Sequence, residues 1–96
     1  MHFSGCLEYD ISYDGNDVND AKKERHRPDD VASCRTLCKN NYGDAVYFEY
    51  ILPDAPGGRE NRKLCWCKTS KEGRVNKTGS VSGVVACTGK NRVILA

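Results

Sequence analysis

Six cysteines within 96 residues constrain this chain more than any other feature of its sequence. An even number of cysteines in so short a chain is typical of a disulfide framework formed in an oxidising compartment. Only 39% of the residues are hydrophobic and 29% are charged, so the core is small. One disulfide contributes about 2–4 kcal/mol, against a total stability of about 5–15 kcal/mol. The sequence therefore predicts one disulfide-stabilised, secreted domain.

The same cysteines allow a second interpretation, a zinc site in a reduced protein. The pairs Cys34-x3-Cys38 and Cys65-x-Cys67, with His26 nearby, would supply enough ligands for one ion. Their spacings differ from the Cys-x2-Cys pairs usual in zinc knuckles. We therefore favour disulfides, and expect neither a metal nor another cofactor.

Composition excludes a transmembrane helix. A membrane span needs about 20 apolar residues, whereas the longest apolar run, residues 45–52, is interrupted by Glu49. No basic region followed by an apolar region opens the chain, as a secretory signal would. Because Met1 stands so close to Cys6, we expect residues 1–5 to be an added leader or linker, and the rest to be a module cut from a longer secreted protein.

Charge is divided unevenly along the chain. Residues 1–56 carry 6 Lys/Arg and 11 Asp/Glu, whereas residues 57–96 carry 9 Lys/Arg and 2 Asp/Glu. The basic half lacks the dense Lys/Arg run of a nucleic-acid-binding arm. It predicts either ordinary solubilising surface or a polar face for an acidic partner, but not a nucleic acid.

Apolar and polar residues alternate strictly over residues 7–13, which predicts a half-buried strand. The segment Asp14-Gly15-Asn16-Asp17 predicts a turn, and the polar residues 19–27 an exposed connection. A helix is expected after Pro28, with an aspartate as its N-cap and Gly43 at its end. Val31, Cys34 and Cys38 share one face of that helix.

Three later segments predict further strands. Residues 45–52 are aromatic and β-branched, as in a central strand. In residues 63–68, Leu64 and Trp66 face one side and Cys65 and Cys67 the other. Residues 69–78 are polar and are expected to form a loop, and the apolar residues near Val81 and in 93–95 predict one or two closing strands. The fold class is therefore α+β, with one helix packed on a mostly antiparallel sheet.

Five ordered segments resemble the apple/PAN family of modules. They are Tyr13-x-Gly15-x-Asp17-Val18, Val31-x-Ser33-Cys34-x3-Cys38, Phe48-x-Tyr50, Cys65-Trp66-Cys67-Lys68-Thr69-Ser70 and Gly79-Ser80-Val81-Ser82-Gly83. Among such modules, the chain resembles in particular the tandem apple domains of micronemal adhesins from coccidian (apicomplexan) parasites. The resemblance implies a disulfide-stapled fold with about five strands, a domain over residues 6–88, and residues 89–96 as a tail or final strand.

The resemblance also implies a disulfide pattern. Cys6–Cys87 corresponds to the extra bridge of the apple version, closing the domain at its ends. The family's usual cysteine before the strand phenylalanine is replaced here by Ala45, and Cys67 stands where a leucine is usual. We infer a re-routed bridge: Cys34–Cys65 with Cys38–Cys67 keeps the family's partner for Cys34, and the alternative is Cys34–Cys67 with Cys38–Cys65.

No catalytic constellation is present in the sequence, so we do not expect an enzyme. His2 and His26 are the only near-neutral bases, and both are expected to be solvated surface residues. The resemblance implies an adhesive module, released through the microneme to the extracellular surface, that mediates protein–protein binding in host-cell attachment and invasion. Its partners would be a host-cell surface protein or glycan, another secreted adhesin, and neighbouring apple repeats.

The alternative function is that of a lectin module for galactose-type or sulfated glycans. The loop over residues 52–63 is the favoured binding surface. The candidate ligand-binding residues are Tyr50, Asp54, Arg59, Arg62, Lys63 and Lys68. For a sulfated polysaccharide, the basic set is Arg59, Arg62, Lys63, Lys68, Lys71, Arg74 and Lys77.

Two further residues carry open alternatives. Trp66, the single tryptophan, is interpreted first as core packing and second as an exposed binding platform. Asn76-Lys77-Thr78 is a formal N-glycosylation sequon in the expected polar loop, which makes Asn76 a candidate modification site.

Overall fold

One helix lies on a four-stranded antiparallel sheet in the computed structural model of this chain, which describes residues 6–24 and 27–86. The elements are β1 (Leu7–Tyr13), α1 (Val31–Asn41), β2 (Tyr47–Ile51), β3 (Cys65–Lys68) and β4 (Arg74–Val84). The strands follow the order β1-β4-β2-β3. The predicted α+β class is confirmed, with four strands in the described residues instead of about five. No described helix is long and apolar enough to cross a membrane.

The helix begins and ends where local chemistry dictates. Asp30 is the N-cap, and its side chain accepts a hydrogen bond from the backbone N–H of Ser33 at 2.8 Å. Its hydrogen bonds with Ser33 lower the pKa of the Asp30 carboxyl. At the other end, the N–H of Tyr42 bonds to the carbonyl of Cys38, just before the predicted stop at Gly43. The two helical cysteines, Cys34 and Cys38, are buried.

Two disulfides join this helix to β3. Cys34 is bonded to Cys65 and Cys38 to Cys67, with Cα–Cα distances of 5.5 and 5.4 Å. Of the two pairings inferred above, the first is therefore present and the nested alternative does not occur. The bridges form one core cluster with the helix-facing side of the sheet, including Phe48 and Tyr50.

Of the two cysteines in the predicted Cys6–Cys87 disulfide, only Cys6 lies within the described residues. Cys6 is buried beside the start of β1. Its expected partner, Cys87, lies outside the described residues, as do His2, His26 and the apolar residues 93–95. The Cys6–Cys87 bridge and the final strand therefore stay predictions.

A short irregular segment takes the place of a fifth strand in the described part of the chain. Residues 16–19 run along the outer edge of β3, where the Val18 N–H bonds to the Cys67 carbonyl at 2.8 Å. Asp17 and Lys68 form a single β-bridge there. The Asn19 amide then bonds to the carbonyl of Cys65 and the N–H of Cys67. The edge of β3 is thus covered without a regular strand.

Strand β4 begins earlier than its sequence suggests, so the polar loop expected over residues 69–78 is wrong in its second half. Ile11 pairs with Asn76, and Tyr13 with Arg74. Residues 74–78 are exposed, which explains why they read as a loop.

An irregularity in the pairing of β1 with β4 allows this extension. Between Tyr9 and Ile11 the register shifts, and Asp10 has a φ of 59°. Its carboxylate accepts a hydrogen bond from the N–H of Gly79. Gly79 has a φ of +90°, and a Cβ there would lie 2.5 Å from that of Ala55, so glycine is required.

Candidate binding site on the open face of the sheet

The face of the sheet opposite the helix carries a polar cavity of about 320 Å³. Its walls are formed by residues of β1, β2 and β3, by Lys77 and Thr78 of β4, by the 52–63 loop and by the turn after β1. Its chemically informative lining groups are Ser12, Asp14, Asp17, Glu49, Trp66 and Lys68. We call this space the polar cavity.

Glu49 is the central buried group of this face. Its side chain is almost fully buried on β2, where one carboxylate oxygen accepts from the Ser12 hydroxyl at 2.8 Å. The other oxygen accepts from the Ser80 hydroxyl at 2.9 Å. A buried charge is costly unless it is paired and hydrogen-bonded, and these contacts with β1 and β4 meet part of that need.

Lys68 supplies the main opposite charge. Its side chain is 3% exposed, and its Nζ lies 2.6 Å from Asp17 Oδ1 and 3.7 Å from Glu49 Oε1. A third acceptor, the Gly15 carbonyl, lies 3.1 Å away. Lys77 is 53% exposed and reaches the other oxygen of Glu49 at 3.5 Å. Charges of both signs are therefore held in place around the polar cavity.

Trp66 packs into the core, which was its first interpretation, and part of it also faces the polar cavity. It is partly buried and packs against a second core cluster formed by Ala21, Ile51, Ala55 and Leu64. It also lines the polar cavity, and Lys68 Nζ lies 6.0 Å from the centroid of its ring. Trp66 is therefore both a core residue and an aromatic wall.

Tyr50, a predicted ligand-binding residue, is placed elsewhere. It is completely buried on the helix side of the sheet, and its hydroxyl donates to the Pro28 carbonyl. Burial and the nearby charges of Asp29 and Asp30 raise the pKa of Tyr50 to about 12. Tyr50 belongs to the core, so its assignment as a ligand contact is wrong, because alternation along β2 turns it away from the polar cavity.

The 52–63 loop is packed onto the sheet instead of extending freely. Ala55 is buried beneath Gly79, and the Arg62 Nε donates to the Ala55 carbonyl at 3.3 Å. Lys63 forms an ion pair with Asp29 at 2.6 Å. Asp54 and Arg59 are exposed and do not line the polar cavity. Of the six predicted ligand-binding residues, only Lys68 does.

Most of the basic residues expected to bind a sulfated polysaccharide are engaged within the domain. Lys63 and Lys68 are paired as described above, and Lys77 with Glu49. Arg74 donates from Nε and Nη2 to Glu8, with the shorter contact at 2.7 Å. Within the described residues, only the side chains of Arg59 and Lys71 in that set form no hydrogen bond or ion pair, and Lys71 Nζ lies 5.8 Å from the centroid of the Tyr47 ring. Most of this set is therefore held by contacts inside the described part of the domain.

Asn76 lies exposed on β4 instead of in a loop. The other two residues of its sequon, Lys77 and Thr78, line the polar cavity. Asn76 as a modification site stays a prediction.

The sulfur atoms of Cys34, Cys38 and Cys65 lie within 4.8 Å of one another, close enough to share an ion. In this structure all three belong to the Cys34–Cys65 and Cys38–Cys67 disulfides. None of the described cysteines is a free thiol. A bridged cysteine has no thiolate to offer, so the cluster serves as a staple instead of a metal centre.

Sequence reasoning missed Glu49, Ser12 and Asp17 as site residues. The signal for Glu49 was present, since it is the one charged residue within the apolar run of residues 45–52. Ser12 and Asp17 carried no local signal, because their role depends on contacts 37 and 51 residues away in the chain.

Comparison with models of known protein families gave no match to this chain, and comparison with curated proteins gave none either.

Proposed function

We propose that this chain is a non-catalytic binding module of the apple/PAN type and that its polar cavity binds carbohydrate. The observation that carries the proposal is the composition of the cavity. A sugar ring needs hydrogen-bonding groups for its hydroxyls and an apolar surface for its C–H face. Carboxylates and ammonium groups surround one end of the cavity, and Trp66 forms a wall.

Support for the apple/PAN assignment comes from the order of its segments and from the fold. A single helix on an antiparallel sheet, tied to β3 by two disulfides, is compatible with that module. The resemblance then suggests the wider setting: a secreted, micronemal-type adhesin that attaches to host cells during invasion by an apicomplexan parasite. Extracellular release agrees with the disulfide bonds.

The experiment uses Trp66 as a built-in reporter, because it is the only tryptophan and lines the cavity. The labelled protein is first applied to a glycan array that includes galactose-type and sulfated glycans. Free sugars that score there are then titrated while Trp66 emission is recorded. We expect a saturable change in emission that follows binding. A flat array would contradict carbohydrate binding, and array-positive sugars that leave Trp66 emission unchanged would contradict binding in the polar cavity.

Protein–protein adhesion is the second candidate, and one observation favours it. Within the described residues, β1 has a hydrogen-bonded neighbour on one side only, β4. Tyr9 on that strand is 62% exposed. Open strand edges and exposed aromatic residues are common features of protein-binding surfaces.

Cell binding separates the two candidates. If adhesion uses β1, a Tyr9→Ser variant should bind host cells more weakly, while free sugars should not compete with the unaltered protein. If the polar cavity is responsible, free sugars should compete and Tyr9→Ser should bind normally. Thr36, exposed on α1, gives the matched control variant Thr36→Ala.

A further inference from the structure

We propose that Asp17 accepts a hydrogen bond from a ligand hydroxyl in the polar cavity, and that Lys68 is a positioning residue which holds Asp17 in place. This inference rests on the proposed carbohydrate binding. It reverses the expectation from the sequence, in which Lys68 itself is a ligand contact.

Burial and existing contacts turn Lys68 away from a ligand. An ammonium group has three N–H donors and no acceptor. Two of the donors are hydrogen-bonded within the domain, to Asp17 Oδ1 at 2.6 Å and to the Gly15 carbonyl at 3.1 Å. The charge is also paired with Glu49 Oε1 at 3.7 Å, and only 3% of the side chain is exposed, so Lys68 offers a ligand little accessible surface.

Asp17 is in the opposite situation. Its Oδ1 is held by Lys68, while Oδ2 has no hydrogen bond or ion pair within residues 6–24 and 27–86. The side chain is 33% exposed and lines the polar cavity. Its backbone is fixed as well, because Asp17 forms a β-bridge with Lys68 and the next residue, Val18, bonds to Cys67. One carboxylate oxygen is thus oriented and available.

The chemistry of that oxygen defines the ligand class. A carboxylate accepts but does not donate, and O–H···O⁻ hydrogen bonds are about twice as strong as those between neutral groups. Asp14, a second carboxylate, also lines the cavity and has no side-chain partner in the described part of the chain. A ring that presents hydroxyl donors fits the wall formed by Asp14 and Asp17. A sulfate group would meet like charge at that wall and, apart from buried Lys68, opposite charge only at Lys22 and Lys77 elsewhere in the lining.

The test measures the binding of D-galactose and galactose 6-sulfate to the full chain by Trp66 emission. Asp17→Asn keeps the shape but weakens the acceptor, and should raise the galactose Kd roughly tenfold or more. Asp54→Asn is the matched control, since Asp54 is an exposed acid outside the cavity. Its Kd should equal that of the unaltered protein.

A double-mutant cycle separates positioning from contact. Lys68→Met should weaken binding, and the double variant Asp17→Asn/Lys68→Met should bind no worse than Asp17→Asn, because Lys68 acts through Asp17. In both variants that carry Lys68→Met, Glu49 keeps its ion pair with Lys77 and loses the one with Lys68, so this change cancels when the two are compared. Thermal unfolding and a two-dimensional NMR spectrum confirm that each variant is folded.

Each result has a distinct meaning. If the unaltered protein binds neither sugar nor any other glycan, the proposed function fails and this inference fails with it. If it binds galactose and Asp17→Asn binds equally well, only the inference fails. Additive losses in the cycle would show that Lys68 contacts the ligand directly. Tighter binding of galactose 6-sulfate that survives Asp17→Asn would also overturn it.

Discussion

The side-chain amide of Asn19 bonds to the backbone of Cys67, whose N–H lies 2.8 Å from Asn19 Oδ1. On the same edge of β3, Asn19 Nδ2 donates to the carbonyl of Cys65 at 3.0 Å. One amide group thus satisfies both backbone groups that a neighbouring strand would satisfy. The Asn19 side chain therefore covers the outer edge of β3 beside both disulfides. An uncovered strand edge would be open to pairing with another chain.

Asn19→Ala should therefore destabilise the domain and expose this edge. Loss of the amide leaves buried backbone groups unsatisfied, which costs about 1–3 kcal/mol. We expect urea unfolding to shift to lower concentration, and sedimentation velocity to show self-association that rises with protein concentration. Asn40→Ala is the control, because Asn40 is exposed on α1. An Asn19→Ala protein that stays monomeric would show that the edge is protected by other means.

Glu49→Ala should be among the most destabilising single substitutions in this chain. It removes the acceptor of the Ser12 and Ser80 hydroxyls and a charge partner of buried Lys68. Breaking a buried ion pair by removing one partner typically costs about 3–5 kcal/mol. Urea unfolding measures the loss, with exposed Glu72→Ala as the control. A difference below about 1 kcal/mol would mean that solvent replaces these contacts.

Elements with strong local signals were predicted well from the sequence. The strand over residues 7–13, the aspartate cap of α1 and the opposite facing of Trp66 and Cys67 all match the structure. Each depends on alternation or on neighbours a few residues away. The pairing order of the two inner bridges was reached through the resemblance, because spacing alone fits both orders.

The failures concern contacts between distant segments. The outer half of β4 is polar because it is exposed, so its pairing with β1 leaves no apolar pattern to detect. The polar cavity is lined by single residues from four strands. No local alternation of apolar and polar residues indicates that they meet. Tyr50 was misassigned because an aromatic residue suits a core and a binding surface equally well.

The two inner disulfides should contribute almost equally to stability. They close segments with sequence separations of 31 and 29 residues, so the chain-entropy contribution, about 2–4 kcal/mol for a typical bridge, is nearly the same. The double variants Cys34→Ala/Cys65→Ala and Cys38→Ala/Cys67→Ala should lose similar stability in urea. A large inequality would indicate that packing around one bridge, instead of chain entropy, dominates.

Partial reduction with stepwise labelling checks the pairing itself. Both orders link the same peptides, so a simple digest does not distinguish them. We expect Cys34 to be labelled together with Cys65, and Cys38 together with Cys67. Recovery of Cys34 joined to Cys67 would contradict the structure.

Acid should weaken the domain partly through Glu8. The hydrogen bond from Arg74 is the main reason that the pKa of the Glu8 carboxyl lies below its ordinary value of 4.5, and Tyr13 adds a second hydrogen bond. A depressed pKa in the folded state stabilises the protein above the ordinary value. That stabilisation falls away as the pH drops below 4.5 and through the folded-state pKa.

Glu8→Gln should therefore have a flatter stability profile than the unaltered protein below pH 4.5. Asp30, whose pKa is also lowered, titrates in both proteins, so the difference between the two profiles isolates Glu8. Urea unfolding at a series of pH values measures it. In an Arg74→Met variant, an NMR titration should show the Glu8 pKa moving back up toward 4.5, since its principal hydrogen-bond donor is gone. Parallel stability profiles for Glu8→Gln and the unaltered protein, with no shift in Arg74→Met, would remove Glu8 as a source of acid sensitivity.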